Sequence, residues 1–295
     1  MQETILNYFQ TIGNPFLDSL FTFATMLGEQ YVIIAVVTWV YWNISKKEGF
    51  ILTYIFLISV LINSLIKVAF HTKRPFQALE EIVGKRVHTA TGYSFPSGHT
   101  QGVTTMFSTL ALIIKKTWFW VIAIVLSVLV AVSRVYLGVH WPVDVLFGLL
   151  FGLLIPLILY SFLSKIFEDS KKFNKVLYIT LIVIYFFAIV LLILNHFILD
   201  SNLDYSGYFK LVGVATGAIA GFLIEESKLP FKIEANLGIK FLRYIIGIST
   251  TIGIMLGFKV LFPEGELFDY IRYLLVGAWI SGFYPIVGFK AGLFK

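Results

Sequence analysis

The sequence contains no cysteine, so neither a disulfide framework nor a metal site built on thiolates is available to it. Charged residues are scarce as well. They make up 14% of the 295 residues, whereas a soluble domain carries about a quarter. Most of the surface must therefore face something other than water, which excludes an ordinary soluble domain.

Two kinds of basic segment are also missing. The N-terminal stretch MQETILNYFQ lacks the cationic start of a secretory signal, and we expect it to belong to the mature protein. The net charge of +6 is not concentrated in a basic helix or a low-complexity tail, so we expect no nucleic-acid partner. Most lysines and arginines lie in short loops between apolar runs, as the positive-inside bias requires.

Apolar runs are what the sequence has in abundance. Hydrophobic residues make up 58% of the chain, and the mean hydropathy is +0.85. Runs of roughly twenty residues, long enough to cross a bilayer, recur throughout. They predict an all-α polytopic helical bundle in the cell membrane, with spans at about 30–44, 49–70, 98–114, 118–138, 143–164, 176–198, 207–225, 240–261 and 270–289. Residues 1–29 are predicted to be interfacial or re-entrant, since Asn14-Pro15 interrupts a short apolar stretch, and a tenth span is the alternative.

The loop charges predict which helix ends face the cytoplasm. Basic residues collect at 45–48, 115–117, 165–175, 226–239 and the C-terminus. The opposite loops 199–206 and 262–269 have no Lys or Arg but contain acidic residues: Asp200, Asp204, Glu264, Glu266 and Asp269. The first set is therefore predicted to be cytoplasmic. Loop 71–97 falls on the outer side and yet carries four cations, for which anion binding is the simplest reason: Lys73, Arg74, Lys85 and Arg86.

The first candidate cluster on that outer side pairs Lys67 with Arg74, which Pro75 follows. Seven residues are two helical turns, so we expect both side chains to project from one side of a helix end. The alternative is a snorkelling lysine and an interfacial arginine, which are common at helix ends.

The second cluster is Pro96-Ser97-Gly98-His99 at a predicted helix start. Ser97 is a good N-cap, Gly98 allows a ligand close to the backbone, and a helix N-terminus binds phosphate readily. An ordinary cap followed by an interfacial histidine is the alternative, and it gives no reason for His99.

The third cluster is Ser133-Arg134 with His140 and Asp144. A histidine and an aspartate four residues apart can meet on one helix face, where the carboxylate fixes the tautomer of the imidazole. An arginine near the end of a membrane helix is costly without an anionic partner. A structural Arg–Asp pair with a bystander histidine is the alternative.

The three clusters converge on one membrane face. Cations, a helix N-terminus, a nucleophile and an acid are the groups that phosphoryl transfer needs. The face lacks a cluster of carboxylates with ligand spacing, and its cations would repel a divalent ion, so neither a metal nor a cofactor is expected.

Together these motifs, Lys67-x6-Arg74-Pro75, Pro96-Ser97-Gly98-His99 and Ser133-Arg134-x5-His140-x3-Asp144, resemble the three-part signature of the type-2 phosphatidic acid phosphatase superfamily. All eleven signature positions match in identity, order and spacing, over about residues 30–165. The resemblance implies that His140 is a nucleophile that forms a phosphohistidine, that Asp144 orients it, and that His99 is the general acid. The implied phosphate-binding set is Lys67, Arg74, Ser97, Gly98 and Arg134.

The resemblance implies a catalytic transmembrane core at 30–165, between the N-terminal segment 1–29 and a C-terminal extension of four transmembrane helices at 166–295. We expect hydrolysis of a lipid phosphomonoester or diphosphate taken from the bilayer at the extracytoplasmic face. For a bacterial chain, an outward-facing site favours undecaprenyl diphosphate over phosphatidic acid and phosphatidylglycerophosphate. A lipid phosphotransferase is a further alternative. A transporter that binds lipid phosphates without turnover is another, although binding alone needs no nucleophile.

The C-terminal extension carries glycines at intervals of four residues: Gly213, Gly217 and Gly221, and Gly253 with Gly257. Small residues at this spacing allow helices to approach closely in lipid. Close packing within the chain and homodimerisation are both compatible with the pattern, and a lipid-binding groove is the third interpretation.

Overall fold

The computed structural model describes residues 1–197, 204–228 and 230–295; Asp200, one of the acidic residues of the predicted outer loops, lies outside them. Within these ranges the chain forms α-helices and no strand. The helices are α1 Gln2–Thr11, α2 Pro15–Met26, α3 Gln30–Asn43, α4 Lys46–Phe70, α5 Pro75–Ala78, α6 Gly98–Ile114, α7 Thr117–Tyr136, α8 Pro142–Ile166, α9 Ser170–Phe197, α10 Ser206–Lys228, α11 Leu237–Leu261, α12 Glu266–Ala278 and α13 Tyr284–Lys290. A π-helical segment, Trp279–Phe283, joins α12 to α13.

Seven helical stretches in the described part of the chain are long and apolar enough to cross a bilayer: Lys46–Ala78, Thr117–Tyr136, Pro142–Ile166, Ser170–His196, Ser206–Lys228, Leu237–Leu261 and Glu266–Lys290. Large hydrophobic side chains stay exposed along them, as at Ile158 and Ile182, which are 68% exposed. A surface of this kind suits lipid and not water. The prediction of an all-α polytopic membrane protein is confirmed.

Two predicted spans differ from this layout. The helices at 30–44 and 98–114 exist, but α3 has 14 residues and α6 has 17, fewer than the roughly twenty that span a bilayer. Helix α3 forms a pair with α2, bent by 43°, that is either one broken span or a re-entrant loop. Helix α6 stops at Lys115, whose left-handed backbone (φ 57°) ends the helix one residue before the cap of α7.

The described residues divide into two compact units, residues 1–34 with 58–161 and residues 35–57 with 162–295. The first unit contains all eight residues predicted for the site. The regions predicted from the sequence, 1–29, 30–165 and 166–295, stay predictions.

The N-terminal segment is packed into the first unit. Asn14 caps α2 by accepting a hydrogen bond from the Leu17 amide at 3.0 Å, with Pro15 in the first helical turn, so the Asn14-Pro15 interruption is a helix start. Leu6 of α1 is fully buried among residues of the 71–97 loop, α7 and α8: Ile82, Ala131, Val135 and Val145. The segment therefore lies beside the loop that carries the extra cations.

Polar side chains and glycines fix the N-terminal end of α6. Asn63 of α4 donates to Gln101 of α6 at 2.8 Å, and one turn away the Ser59 and Thr105 hydroxyls lie 2.8 Å apart. These groups are buried, so their hydrogen bonds hold α4 and α6 in one register. On its other side α6 meets α8, where a methyl group on Gly152 would fall 2.6 Å from Thr104 Cβ.

The second unit uses part of the glycine pattern internally. A methyl group on Gly213 would fall 2.4 Å from the Tyr270 carbonyl oxygen, and one on Gly217 would fall 2.0 Å from that of Leu274. Close packing of α10 against α12 is therefore the role of these glycines. A methyl group on Gly253 or Gly257 would meet nothing within 4 Å among the described residues. Homodimerisation stays a prediction that now concerns these two positions.

Candidate active site

His140 and Asp144 form a buried pair at the turn between α7 and α8. Gly138, at φ +68°, allows the chain to reverse after α7, and Pro142 starts α8 two residues beyond His140. His140 Nδ1 lies 3.1 Å from Asp144 Oδ2, which also accepts the Trp141 amide proton at 2.9 Å. The side chains are 2% and 0% exposed, so the carboxylate holds the imidazole without competition from water.

Arg74 settles the tautomer of His140. Its Nη1 lies 3.0 Å from His140 Nε2. Because arginine only donates, Nε2 must accept, and the imidazole proton sits on Nδ1 facing Asp144. Burial, and then the charges of Arg74 and Lys67, hold the pKa of His140 well below its ordinary value. The imidazole is therefore neutral at neutral pH, with a lone pair on Nε2.

Arg74 and Lys67 do not lie on one helix, which corrects the sequence prediction. Helix α4 ends at Phe70, and Arg74 precedes the short α5 in extended conformation. The Arg74 guanidinium donates to backbone oxygens of Thr91 (2.7 Å), Gly92 (3.0 Å), Tyr93 (3.3 Å) and Val139 (2.8 Å). Lys67 donates to the carbonyl oxygens of Tyr93 and Ser94. Both cations thus hold the segment 91–94 against the His140 turn.

Arg134 and His99 have buried nitrogen atoms without hydrogen-bond partners among the described residues. Arg134 is fully buried, and its Nη1 donates to Thr25 Oγ1 at 2.8 Å. Within the described ranges, Arg134 Nε and Nη2 and His99 Nε2 have no hydrogen-bond partner. Unpaired buried donors are costly, and a buried arginine with two of them suits an anion. A methyl group on Gly28 would fall 3.0 Å from His99 Cβ, so the turn between α2 and α3 packs on His99.

The N-terminus of α6 joins these groups. Ser97 caps the helix as predicted, accepting from the Thr100 amide at 3.5 Å, and its own amide donates to the Asp144 carbonyl oxygen at 3.0 Å. A methyl group at Gly98 would meet only Asn63 Oδ1 at 3.5 Å and Lys67 Cε at 4.0 Å. Packing among the described residues gives no steric reason for glycine there, which fits an approach by a ligand.

Ser94 and Thr25 are site residues that the sequence analysis missed. Ser94 is fully buried, and its hydroxyl donates to Asp144 Oδ2 at 2.5 Å, so it shares the carboxylate with His140. In the sequence, the position of Ser94 two residues before Pro96 is the one feature that could have indicated that it belongs to the site. Thr25 contacts Arg134 from 109 residues away, and no local pattern marks it.

Two of the four cations of the 71–97 loop have partners in the N-terminal segment. Lys85 pairs with Asp18, and Arg86 pairs with Glu29 at 2.5 Å. Anion binding by a substrate is therefore not needed to explain Lys85. Among the described residues no group of three or more His, Asp or Glu side chains is placed to hold a metal ion.

This arrangement has the parts of a phosphoryl-transfer site. A neutral imidazole can attack phosphorus with the lone pair of Nε2 once a substrate phosphate takes the guanidinium of Arg74 away from it. The donors of Arg134 and the N-terminus of α6 can hold phosphoryl oxygens.

Comparison with known protein families agrees with this chemistry. The model of the PAP2 superfamily matches residues 48–168. A second model, described as PAP2 superfamily phosphatase, transmembrane extension, matches residues 209–295.

Similar proteins include an undecaprenyl-diphosphatase of Sulfolobus acidocaldarius, 35% identical over 173 residues that cover 58% of this chain and 79% of the relative. A phosphatidylglycerophosphatase B of Bacillus subtilis is 30% identical, covering 56% of this chain and 82% of the relative. The crystal structure of LpxE from Aquifex aeolicus aligns with a TM-score of 0.47 and 24% identity, covering 53% of this chain and 93% of that chain.

Proposed function

We propose that this chain, which belongs to the PAP2 superfamily and is a multi-pass membrane lipid phosphatase, hydrolyses a lipid diphosphate through a phosphohistidine on His140. The observation that carries the mechanism is the continuous contact from Arg74 through His140 to Asp144. It leaves Nε2 as the one imidazole atom able to attack phosphorus. A bystander histidine would need neither a fixed tautomer nor a cation on its lone pair.

The proposed reaction has two steps. His140 Nε2 forms a bond to the terminal phosphorus, the bond to the bridging oxygen breaks, and the electron pair stays on that oxygen, which leaves with the lipid. His99 gives a proton to the leaving oxygen where the leaving group requires one. Water then attacks the phosphohistidine, and the proton that it loses returns to His99 where His99 gave one and otherwise stays on the phosphate. The P–N bond breaks with its electron pair on Nε2, and inorganic phosphate is released with His140 neutral again.

The proposed substrate is undecaprenyl diphosphate, taken from the outer leaflet. The basic loops at the opposite ends of the helices support an outward-facing site. The similar undecaprenyl-diphosphatase supports a polyprenyl diphosphate. Phosphatidylglycerophosphate is the second candidate, because a phosphatidylglycerophosphatase is also among the similar proteins.

A phosphate-release assay on purified protein tests the activity. We expect phosphate from undecaprenyl diphosphate, with lower rates on phosphatidylglycerophosphate and phosphatidic acid. Activity should persist in excess EDTA, because the cations and the helix N-terminus neutralise the substrate. Vanadate should inhibit, since its trigonal-bipyramidal form resembles the transition state. Loss of activity in EDTA that added magnesium restores would contradict the mechanism, and phosphate transfer to an added lipid or sugar acceptor would indicate a phosphotransferase.

Cysteine labelling tests the proposed orientation. Single cysteines at Glu81 and Asp204, both exposed, should react with an impermeant maleimide from outside intact cells. Those at Lys116 and Lys172, exposed at the opposite helix ends, should react only after the cells are opened. The native chain has no cysteine and serves as the blank. The reverse pattern would place the site in the cytoplasm.

A further inference from the structure

Arg86 occupies a fixed position beside the proposed catalytic groups. The Lys85 amide donates to the Leu137 carbonyl oxygen at 2.8 Å, which ties this part of the loop to the turn that leads to His140. Arg86 itself has a left-handed backbone (φ 54°), a conformation that costs a non-glycine residue free energy. A strained backbone of this kind persists where the surrounding structure requires the side chain in one place.

The partner of Arg86 comes from the turn that packs on His99. Arg86 Nη2 lies 2.5 Å from Glu29 Oε1, and Glu29 directly follows Gly28, the residue in contact with His99. Arg86 and His99 therefore contact adjacent residues of one turn, Glu29 and Gly28. Arg86 thus lies next to the turn that packs on His99, the proposed acid for the leaving group.

The ion pair with Glu29 leaves Arg86 incompletely satisfied. Its Nε is buried and has no hydrogen-bond partner among the described residues, although its side chain is 22% exposed. The neighbouring Lys85 differs, because its ammonium contacts Asp18 and lies over the ring of Tyr136.

We infer that Arg86 binds the phosphate that leaves with the lipid when the substrate is a lipid diphosphate, and so makes the enzyme selective for diphosphates over monophosphates. This inference rests on the proposed function. A monophosphate lipid has only an alkoxide oxygen at that place, whereas a diphosphate gains a charged phosphate there when the bridging P–O bond breaks. An arginine with an unpaired donor favours that developing charge.

The test is the ratio of kcat/KM for a diphosphate and a monophosphate of one polyprenyl chain. Arg86→Met should lower kcat/KM for the diphosphate by roughly a hundredfold. It should change the monophosphate value by less than about threefold, because His99 protonates the leaving alkoxide oxygen and no phosphate leaves in that reaction. Retained monophosphate turnover also shows that the variant is folded.

Two controls separate selectivity from loop packing. Lys85→Met removes the neighbouring ion pair and should leave the ratio unchanged. Glu29→Gln breaks the same ion pair as Arg86→Met but keeps the cation, and it should retain the preference for the diphosphate. If Glu29→Gln or Lys85→Met lowers the ratio as much as Arg86→Met does, the inference is wrong.

Each remaining outcome also supports or contradicts the role of Arg86. Equal losses on both lipids from Arg86→Met contradict the selectivity role, and loss of both activities in Arg86→Met and Arg86→Gln alike assigns Arg86 to structure. A wild-type protein that releases phosphate from neither lipid overturns the proposed function itself, and the inference with it. Wild-type activity with an unchanged ratio in Arg86→Met overturns the inference alone.

Discussion

Replacing His140 by alanine is expected to lower phosphate release from every lipid substrate by at least about 10⁴-fold, because it removes the atom that bonds to phosphorus. His140 Nε2 has no substitute nearby. His99 lacks a carboxylate partner among its described contacts, and Asp144 faces Nδ1 and not the phosphate. The residual rate should come from direct attack of water on the phosphate of the bound substrate.

Asp144→Asn separates the nucleophile from the group that orients it. Asparagine keeps the shape of the side chain but not its charge, so the tautomer of His140 is disturbed while Nε2 stays in place. We expect a residual rate above that of His140→Ala. Rapid quenching in alkali with substrate labelled at the terminal phosphate measures the intermediate, since a phosphohistidine survives alkali and is lost in acid. Label on His140→Ala, or full activity in that variant, would contradict the assignment.

The sequence predicts local geometry well in this protein. His140 and Asp144 are four residues apart at a helix start, and Ser97 stands directly before α6, so spacing alone brings the atoms together. Hydropathy predicts the long helices, because a helix that crosses the lipid needs a continuous apolar run. It also predicts where α3 and α6 lie, but not the bend between α2 and α3 or the left-handed cap that ends α6.

The parts that the sequence does not predict depend on distant contacts. Arg74 meets His140 because α4 ends at Phe70 and the chain then extends toward segment 91–94. The spacing of seven residues between Lys67 and Arg74 does not reveal that the helix ends between them. Thr25 reaches Arg134 of α7, and Glu29 reaches Arg86 of the loop, only after α2 and the turn that follows it pack on these elements. Hydropathy assigns residues 1–29 to the membrane interface but says nothing of which side chains they cover.

Replacing His99 is expected to affect monophosphate and diphosphate lipids unequally. An alkoxide is a poor leaving group and needs a proton as the P–O bond breaks, whereas a lipid phosphate leaves readily without one. His99→Ala should therefore lower kcat on a lipid monophosphate by about 10²- to 10⁴-fold. The loss on the matching diphosphate should stay below about tenfold, because general acid catalysis contributes little to that step.

The measurement is kcat for both lipids in the wild type, His99→Ala and His99→Gln. Glutamine fills most of the space against Gly28 but cannot act as an acid near neutral pH, so it separates proton transfer from packing. Equal losses on both lipids would show that His99 binds phosphate or shapes the site. A phosphohistidine should still form from the diphosphate in both variants. If His99→Ala loses it and His140→Ala keeps it, the two histidines have the opposite roles. The change in substrate preference should also be opposite in sign to that of Arg86→Met, since one residue serves an alkoxide and the other a phosphate at the same leaving position.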